Sequence, residues 1–483
     1  MTAASKMRTS IALAVLAGMA LRLFFVLRFP VTDSGDSAFY MELAWNWLKH
    51  GVFGSVMNGR LMPTDMRVPG YPAFLAGVFA LAGGSAGAAM AAQVAVDVAA
   101  CFVIALIAAR LAPEAGRRRA AMAALWMAAV CPFTANYTAA VLSETLAIFL
   151  TAVAILVLLE TDLGTGLTTP PASADSGAWW ERPASRWLLG GLVAGFGGLV
   201  RPETPLLLVA AAIVLAAKWR HPADWAKLAR AGVLLGAGLA LPLLPWAARN
   251  ARTLHEVQFL APRYLAEPGD YVPLGFTEWT RTWMWRFRDV YLVPWKEGTD
   301  PILLETLPAS AFDSEQERRR VAALLDRYND TTTIDPAMDE EFLEIARERT
   351  ARHPLRTYLK IPLLRALALW FTPRVELLPY SGHIWPMRVE WEDDRKDLLV
   401  TLALVAVNGV YVLLALVGAW MVRRRPGWAF LIAFVVVRTA FFTWTDTPEP
   451  RYVLECFPAV IALAAQAFAG RVVKRPEGAV AKS

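Results

Sequence analysis

Apolar residues fall in long blocks separated by short polar breaks along most of the chain. Blocks near 11–29, 86–111, 120–133, 139–159, 187–200, 205–217, 228–246, 398–421, 428–444 and 453–469 carry few charges. About 20 residues at 1.5 Å each cover a hydrocarbon core of about 30 Å. The pattern predicts an all-α integral membrane protein with about ten transmembrane helices. The first block holds Arg22 and has no small-residue cleavage site before Pro30, so a retained span is expected rather than a signal peptide. The piece at 71–82 is too short to cross and is expected to lie at the outer interface.

Two stretches break this rhythm. A polar loop over 31–70 follows the first block, and a long polar segment over 249–396 precedes the last three. The chain therefore divides into an N-terminal transmembrane module at 1–248 that carries the first loop, an outer segment at 249–396, and C-terminal helices with a tail at 397–483. The outer segment opens with Trp279, Trp283, Trp285, Tyr291 and Trp295 among Arg281, Arg286 and Arg288, a mixture suited to lipid headgroups. Two helices are expected next, one capped by Asp313 with Glu315 and Glu317 in its first turn, one starting at Asp335-Pro336. The apolar piece at 358–371 is expected to dock on the membrane. No internal repeat is evident, which weakens an inverted-repeat transporter.

Charge orients the chain. The sequence is 56% hydrophobic and 19% charged with net charge +6. In a membrane protein that excess reads as basic inner loops and phosphate contacts, not as a nucleic-acid surface. With the N-terminus inside, Arg117–Arg119, the 218–230 loop, Arg423–Arg425 and the tail at 471–475 all face the cytoplasm, as does the loop at 161–185. The expectation is a multi-pass protein of the plasma (inner) membrane with both termini cytoplasmic and the polar loops outside. Cys101, Cys131 and Cys456 lie in apolar stretches with no metal spacing, and the five histidines do not cluster.

The first loop holds the candidate chemistry. Asp36 and Tyr40 stand one turn apart at the start of a helical pattern ended by Gly51. A carboxylate there can take a proton from an acceptor hydroxyl, or Asp36 or Ser37 can simply cap the helix, a task Asp33 or Ser34 can also do. The loop closes on Asp65 and on Arg67, just before Pro69-Gly70-Tyr71-Pro72. A guanidinium at this depth holds a phosphate in bidentate fashion or snorkels to headgroups. Glu144, Arg201, Arg249, Arg451 and Tyr452 fall at outer ends of spans on the same side. Ionisable groups at such depth usually face a cavity, though each alone reads as an interfacial anchor. Asp97 is expected to pair with Arg22.

With those residues in view, the chain resembles the polytopic, GT-C type glycosyltransferases that use lipid-phosphate sugars. These include the protein O-mannosyltransferases and the lipid A aminoarabinose transferases. The likeness rests on Asp36-Ser37-Ala38-Phe39-Tyr40, on Arg67-Val68-Pro69-Gly70-Tyr71-Pro72, on Arg117–Arg119, on Ser143-Glu144, and on Pro448-Glu449-Pro450-Arg451-Tyr452. It covers most of the chain in topology. The resemblance implies transfer of a sugar from a polyprenyl phosphate to an extracytoplasmic glycan, lipid or protein acceptor, with membrane lipids as neighbours. It implies Asp36 as general base, Arg67 on the phosphate and Glu144 near the sugar or the base. Arg201, Arg249 and Arg451 become further phosphate candidates, and Asp33, Tyr40, Asp65 and Tyr452 further substrate contacts. One base and direct displacement imply inversion, unlike the two-carboxylate retaining route. Ser37 replaces the usual acid after the aspartate, and Arg67 the usual lysine, which leaves the acceptor class open. Asp33 is an alternative base, and the two aspartates permit a divalent metal ion without demanding one. A transporter or flippase of lipid-linked sugars is the rival reading, and an envelope scaffold a third.

Overall fold

The computed structural model describes residues 3–32, 35–164, 183–264 and 271–470. Most of the 161–185 loop, the 471–475 tail and the Asp33-Ser34 pair lie outside the described residues. The order begins α1 (Ala3–Arg28), α2 (Gly35–His50), β1 (Gly54–Met57), β2 (Arg60–Pro63), α3 (Gly70–Ala82), α4 (Ala86–Leu111), α5 (Arg117–Ala129), α6 (Pro132–Ala135), α7 (Glu144–Leu159), α8 (Pro183–Val200), α9 (Leu206–Lys218) and α10 (Trp225–Thr253). The outer segment holds α11 (Leu274–Arg281), α12 (Phe287–Leu292), α13 (Glu315–Thr331), α14 (Pro336–Arg352), α15 (Ile361–Phe371) and α16 (Met387–Asp393). The chain closes on α17 (Arg395–Met421), α18 (Trp428–Phe442) and α19 (Phe457–Ala464).

The protein is a multi-pass, helical membrane protein. Among the described residues five helices are long and apolar enough to cross a bilayer, six if the segment bent by 48° around Cys131 is one span. The shorter apolar helices, such as α7 and α18, bring the number near the ten expected only if each also crosses; length and composition alone do not show that. Small residues let the helices close up: a Cβ at Gly238 of α10 would stand 2.2 Å from the Leu188 carbonyl of α8. The expected Arg22–Asp97 pair forms inside the bundle, Arg22 Nε donating to Asp97 Oδ2 at 2.7 Å and Nη1 to the Gly18 and Ala129 carbonyls. Arg22 Nη2 also reaches the Ala128 carbonyl and Cys101 Sγ, so this guanidinium is held within the bundle, as a structural pair would be.

Three local expectations need correction. Trp279 and Trp283 do not face headgroups; they are 0% and 1% exposed and pack with Phe342, Val321 and Leu325 in a separate core of the outer segment. That segment folds around its own apolar cluster, and these two rings belong to it, whereas Tyr291 and Trp295 stay exposed. Asp313 does not cap α13. Ser314 does, accepting from the Glu317 amide at 3.1 Å, while Asp313 is held by Arg356. Asp335 caps α14 as expected, with Pro336 at the first helical position. Lastly, the apolar block at 139–159 is helical only from Glu144. Before it, Ala140 bridges in parallel to Val31, and a short 3-10 turn spans Asn136–Ala139.

Candidate active site

Asp36 lies in the first turn of α2. Its carboxylate is flanked by two guanidinium groups, Arg67 Nη2 at 2.7 Å on Oδ1 and Arg451 Nη1 at 3.4 Å on Oδ2. Burial alone would raise the Asp36 pKa, but Arg451 and Arg67 together hold it below the ordinary carboxylate value. Tyr40, one turn on, is buried beneath it against Tyr71, with Arg67 5.8 Å from its ring. Arg67 is delivered by the Pro69-Gly70 turn into α3. A Cβ at Gly70 would stand 2.5 Å from the Leu199 carbonyl, so only glycine lets this turn press on the end of α8.

The late start of α7 places Glu144 in that helix's first turn, fully buried. Its Oε1 accepts from Arg201 Nη1 at 2.7 Å and lies 3.7 Å from Arg451, while its Oε2 has no hydrogen-bond partner. Arg451 is further steered by Glu449, whose carboxylate accepts from its Nε at 2.6 Å and from the Tyr452 phenol at 2.8 Å. The 3-10 turn Pro450–Cys456 presents Arg451 and Tyr452 together. The structure therefore joins Asp36, Tyr40, Arg67, Glu144, Arg201, Arg451 and Tyr452, which stand more than 400 residues apart at the extremes.

Two cavities meet here. A large one of about 1430 Å³ runs from the end of α1 past Asp36 to the outer segment. A small polar one of about 270 Å³ lies between Tyr40, Glu144, Arg201, Glu203 and Arg263. Asp36, Arg67, Leu142, Arg451 and Tyr452 line both, so this acid and its two arginines form the wall between them.

Not every candidate joins. Arg249 donates to the Phe53 carbonyl at 2.6 Å and the Thr64 carbonyl at 2.9 Å and stacks over Trp246. It ties the β1–β2 hairpin to the end of α10 and lines neither cavity. Asp65 sits beside it, half-buried, its pKa raised by burial, also off both cavities. Asp33 lies outside the described residues. Among the described residues no three His, Cys, Asp or Glu side chains group as a metal would require.

Sequence reasoning missed four acids. Glu455 accepts from Thr151 and Thr204, both at 2.9 Å, and from Arg438 at 2.6 Å, and so forms the floor under Arg201. Glu203 and Glu449 border the small cavity and Arg451 respectively. Glu376, in the loop after α15, lines the large cavity and accepts from the Tyr137 phenol at 3.0 Å. Each stands singly in an apolar or proline-rich stretch, and only folding brings it to the others.

No protein-family model matches the chain, and no curated protein matches it in sequence. Solved structures do resemble it. The oligosaccharyltransferase AglB from Archaeoglobus fulgidus, in complex with an inhibitory peptide and a dolichol-phosphate, is 14% identical over 95% of this chain and 50% of its own, at a TM-score of 0.48. The same organism's oligosaccharyltransferase with Zn and sulfate gives 13% identity, 94% and 48% coverage, and a TM-score of 0.48. ArnT from Cupriavidus metallidurans bound to undecaprenyl phosphate is 13% identical over 97% of this chain and 78% of its own, at a TM-score of 0.38. The chain thus spans about half the length of the archaeal oligosaccharyltransferase, and at these identities the likeness assigns no residue a role.

Proposed function

We propose that the protein is a glycosyltransferase that moves a single sugar from a polyprenyl phosphate to an acceptor hydroxyl at the extracytoplasmic face, with inversion. The observation that carries this reading is the shared wall: one carboxylate between two guanidinium groups, with a cavity on either side. A two-substrate displacement needs that arrangement. The sugar enters from one side, the acceptor from the other, and the charge on the leaving phosphate is met where they touch.

In this reading Asp36 accepts the proton of the acceptor hydroxyl as that oxygen attacks the anomeric carbon. Arg67 and Arg451 hold the phosphate and stabilise the charge it gains as the anomeric C–O bond breaks. Donor phosphate competes with Asp36 for these guanidinium groups. As they turn to the phosphate, Asp36 loses the partners that depress its pKa and becomes a better base, so donor binding prepares the proton acceptor. The small cavity is the sugar pocket. It is the smaller and more polar of the two cavities, which supports a single sugar as its occupant. Glu144 Oε2 and Glu203 Oε2, the latter 3.9 Å from Arg201 Nε, have no hydrogen-bond partner and are acceptors that sugar hydroxyls would satisfy.

The orientation is supported by the opposite end of the bundle. There Arg425 donates to the Ala112 carbonyl, Arg186 to the Glu160 carbonyl and Lys218 to the Asp162 carbonyl, gathering the basic turns at the end remote from Asp36. Basic ends favour the cytoplasmic side, which supports an extracytoplasmic position for Asp36. The test is transfer of labelled sugar from polyprenyl-phosphate donors. Wild-type transfer that Asp36→Asn loses supports the reading, and donor binding without transfer to any acceptor favours a flippase.

A further inference from the structure

The outer wall of the large cavity is aromatic. Phe287 and Tyr291 of α12 and Trp295 just beyond it meet edge to face, with centroids 4.9 Å apart for Phe287–Tyr291, 5.8 Å for Phe287–Trp295 and 4.4 Å for Tyr291–Trp295. Tyr291 and Trp295 stay 42% and 46% exposed although the same segment buries Trp279 and Trp283 completely. A core is available, so these two rings are turned away from it, into the cavity that Asp36 lines. In the lining of the same cavity Glu376 holds the Tyr137 phenol on Oε1 and leaves Oε2 without a hydrogen-bond partner. Burial pushes the Glu376 carboxyl up, and burial with the Glu376 and Glu449 charges pushes the Tyr291 phenol up to about 12. Tyr291, Glu376 and the Asp36 pair of arginines thus share one space.

Resting on the transferase reading, we infer that Tyr291, Trp295 and Glu376 form the acceptor subsite, and that the acceptor group is a sugar ring. A pyranose has an apolar C–H face and a rim of hydroxyls. Exposed rings cover the first, and a carboxyl with an unused oxygen pairs with the second. A peptide would instead find its backbone partners at a sheet edge, and the only strand pair among the described residues, β1–β2, does not line the cavity. A bare acyl chain is disfavoured by the charges of Arg28, Asp394 and Lys396 at the rim.

The test uses the full chain in proteoliposomes with a labelled polyprenyl-phosphate sugar. Three acceptors are offered: a panel of methyl glycosides, glycolipids with the same head sugars, and a Ser/Thr-rich peptide. Label is expected in the saccharides. Use of methyl glycosides as well as glycolipids assigns recognition to the sugar alone, and use of glycolipids only assigns a lipid-borne sugar. Trp295→Ala should raise the acceptor KM by roughly tenfold, while the donor KM moves by less than about twofold. Trp295→Phe should recover most of the loss, and Glu376→Gln, which keeps the shape, should raise the acceptor KM in the same direction. Label in the peptide, or an acceptor KM unmoved by both Trp295→Ala and Glu376→Gln, overturns the subsite while leaving the transferase standing. Absence in wild type of both transfer and donor hydrolysis counts against the transferase, and the subsite falls with it.

Discussion

Asp36 stands between Arg67 and Arg451, and that position sets the sign of several effects. Its pKa is depressed in the free protein, so the acid limb of kcat/KM should lie below the usual carboxylate range near 3.9, and the limb of kcat, which reports the donor complex, should lie higher. Coincident limbs in a pH–rate series would contradict donor-linked activation. Asp36→Asn should lower transfer by roughly 10²–10⁴-fold yet tighten donor binding, because the competitor for the two guanidinium groups is gone. Arg67→Ala should cost roughly 10²–10³-fold in transfer and weaken the donor, measured as the ratio of kcat/KM values. At this scale the sequence was legible where a charge breaks an apolar block near a loop, as at Asp36, Arg67, Glu144 and Arg451. Arg249 has a similar place in sequence but stays apart from them, its described hydrogen bonds going to the Thr64 and Phe53 carbonyls and to Asn250. Glu376 and Glu455 were invisible because nothing local separates them from ordinary loop and helix-start acids.

Elements were legible where the sequence marks an end, as with Gly51 after α2 and Asp335-Pro336 at the start of α14. The β1–β2 hairpin was overlooked although Asn58-Gly59 marks it, both residues having positive φ in a two-residue turn. Trp279 and Trp283 were misread because tryptophan at an interface and tryptophan in a small soluble core look alike in sequence. Within that segment Arg349 is fully buried, paired with Glu317 and Asp313 and bonded to Thr282 and the Ala311 carbonyl. Arg349→Met leaves both carboxylates buried without their central partner and should destabilise the segment by about 3–5 kcal/mol, read from the fluorescence of Trp279 and Trp283 during denaturation. Asp313 follows the same logic in pH. Burial would raise its pKa, but the Arg356 hydrogen bond and the Arg349, Arg356 and Arg352 charges keep it low. Its contribution is therefore complete above its unfolded value near 3.9 and is lost as pH falls through the lower folded value. The segment should hold its near-ultraviolet signal down to about pH 4 and lose stability below it.

Across the whole molecule, the long apolar blocks made the membrane class plain, and the basic turns indicated which ends of the helices gather. Which helices cross, and how α1, α2, α7 and the 450–456 turn converge, required tertiary contacts that no periodicity encodes. Cysteines placed at exposed Glu315 and at Arg424 should separate cleanly with an impermeant thiol reagent on intact cells. The first should label and the second should not, since native Cys101, Cys131 and Cys456 are buried. The most direct test of the account is transfer of labelled sugar from polyprenyl-phosphate donors by membranes holding wild type or Asp36→Asn, with donor binding measured in parallel. The account expects transfer by wild type, its loss in Asp36→Asn, and donor binding that is retained or tightened in the variant. Undiminished transfer by Asp36→Asn would contradict it.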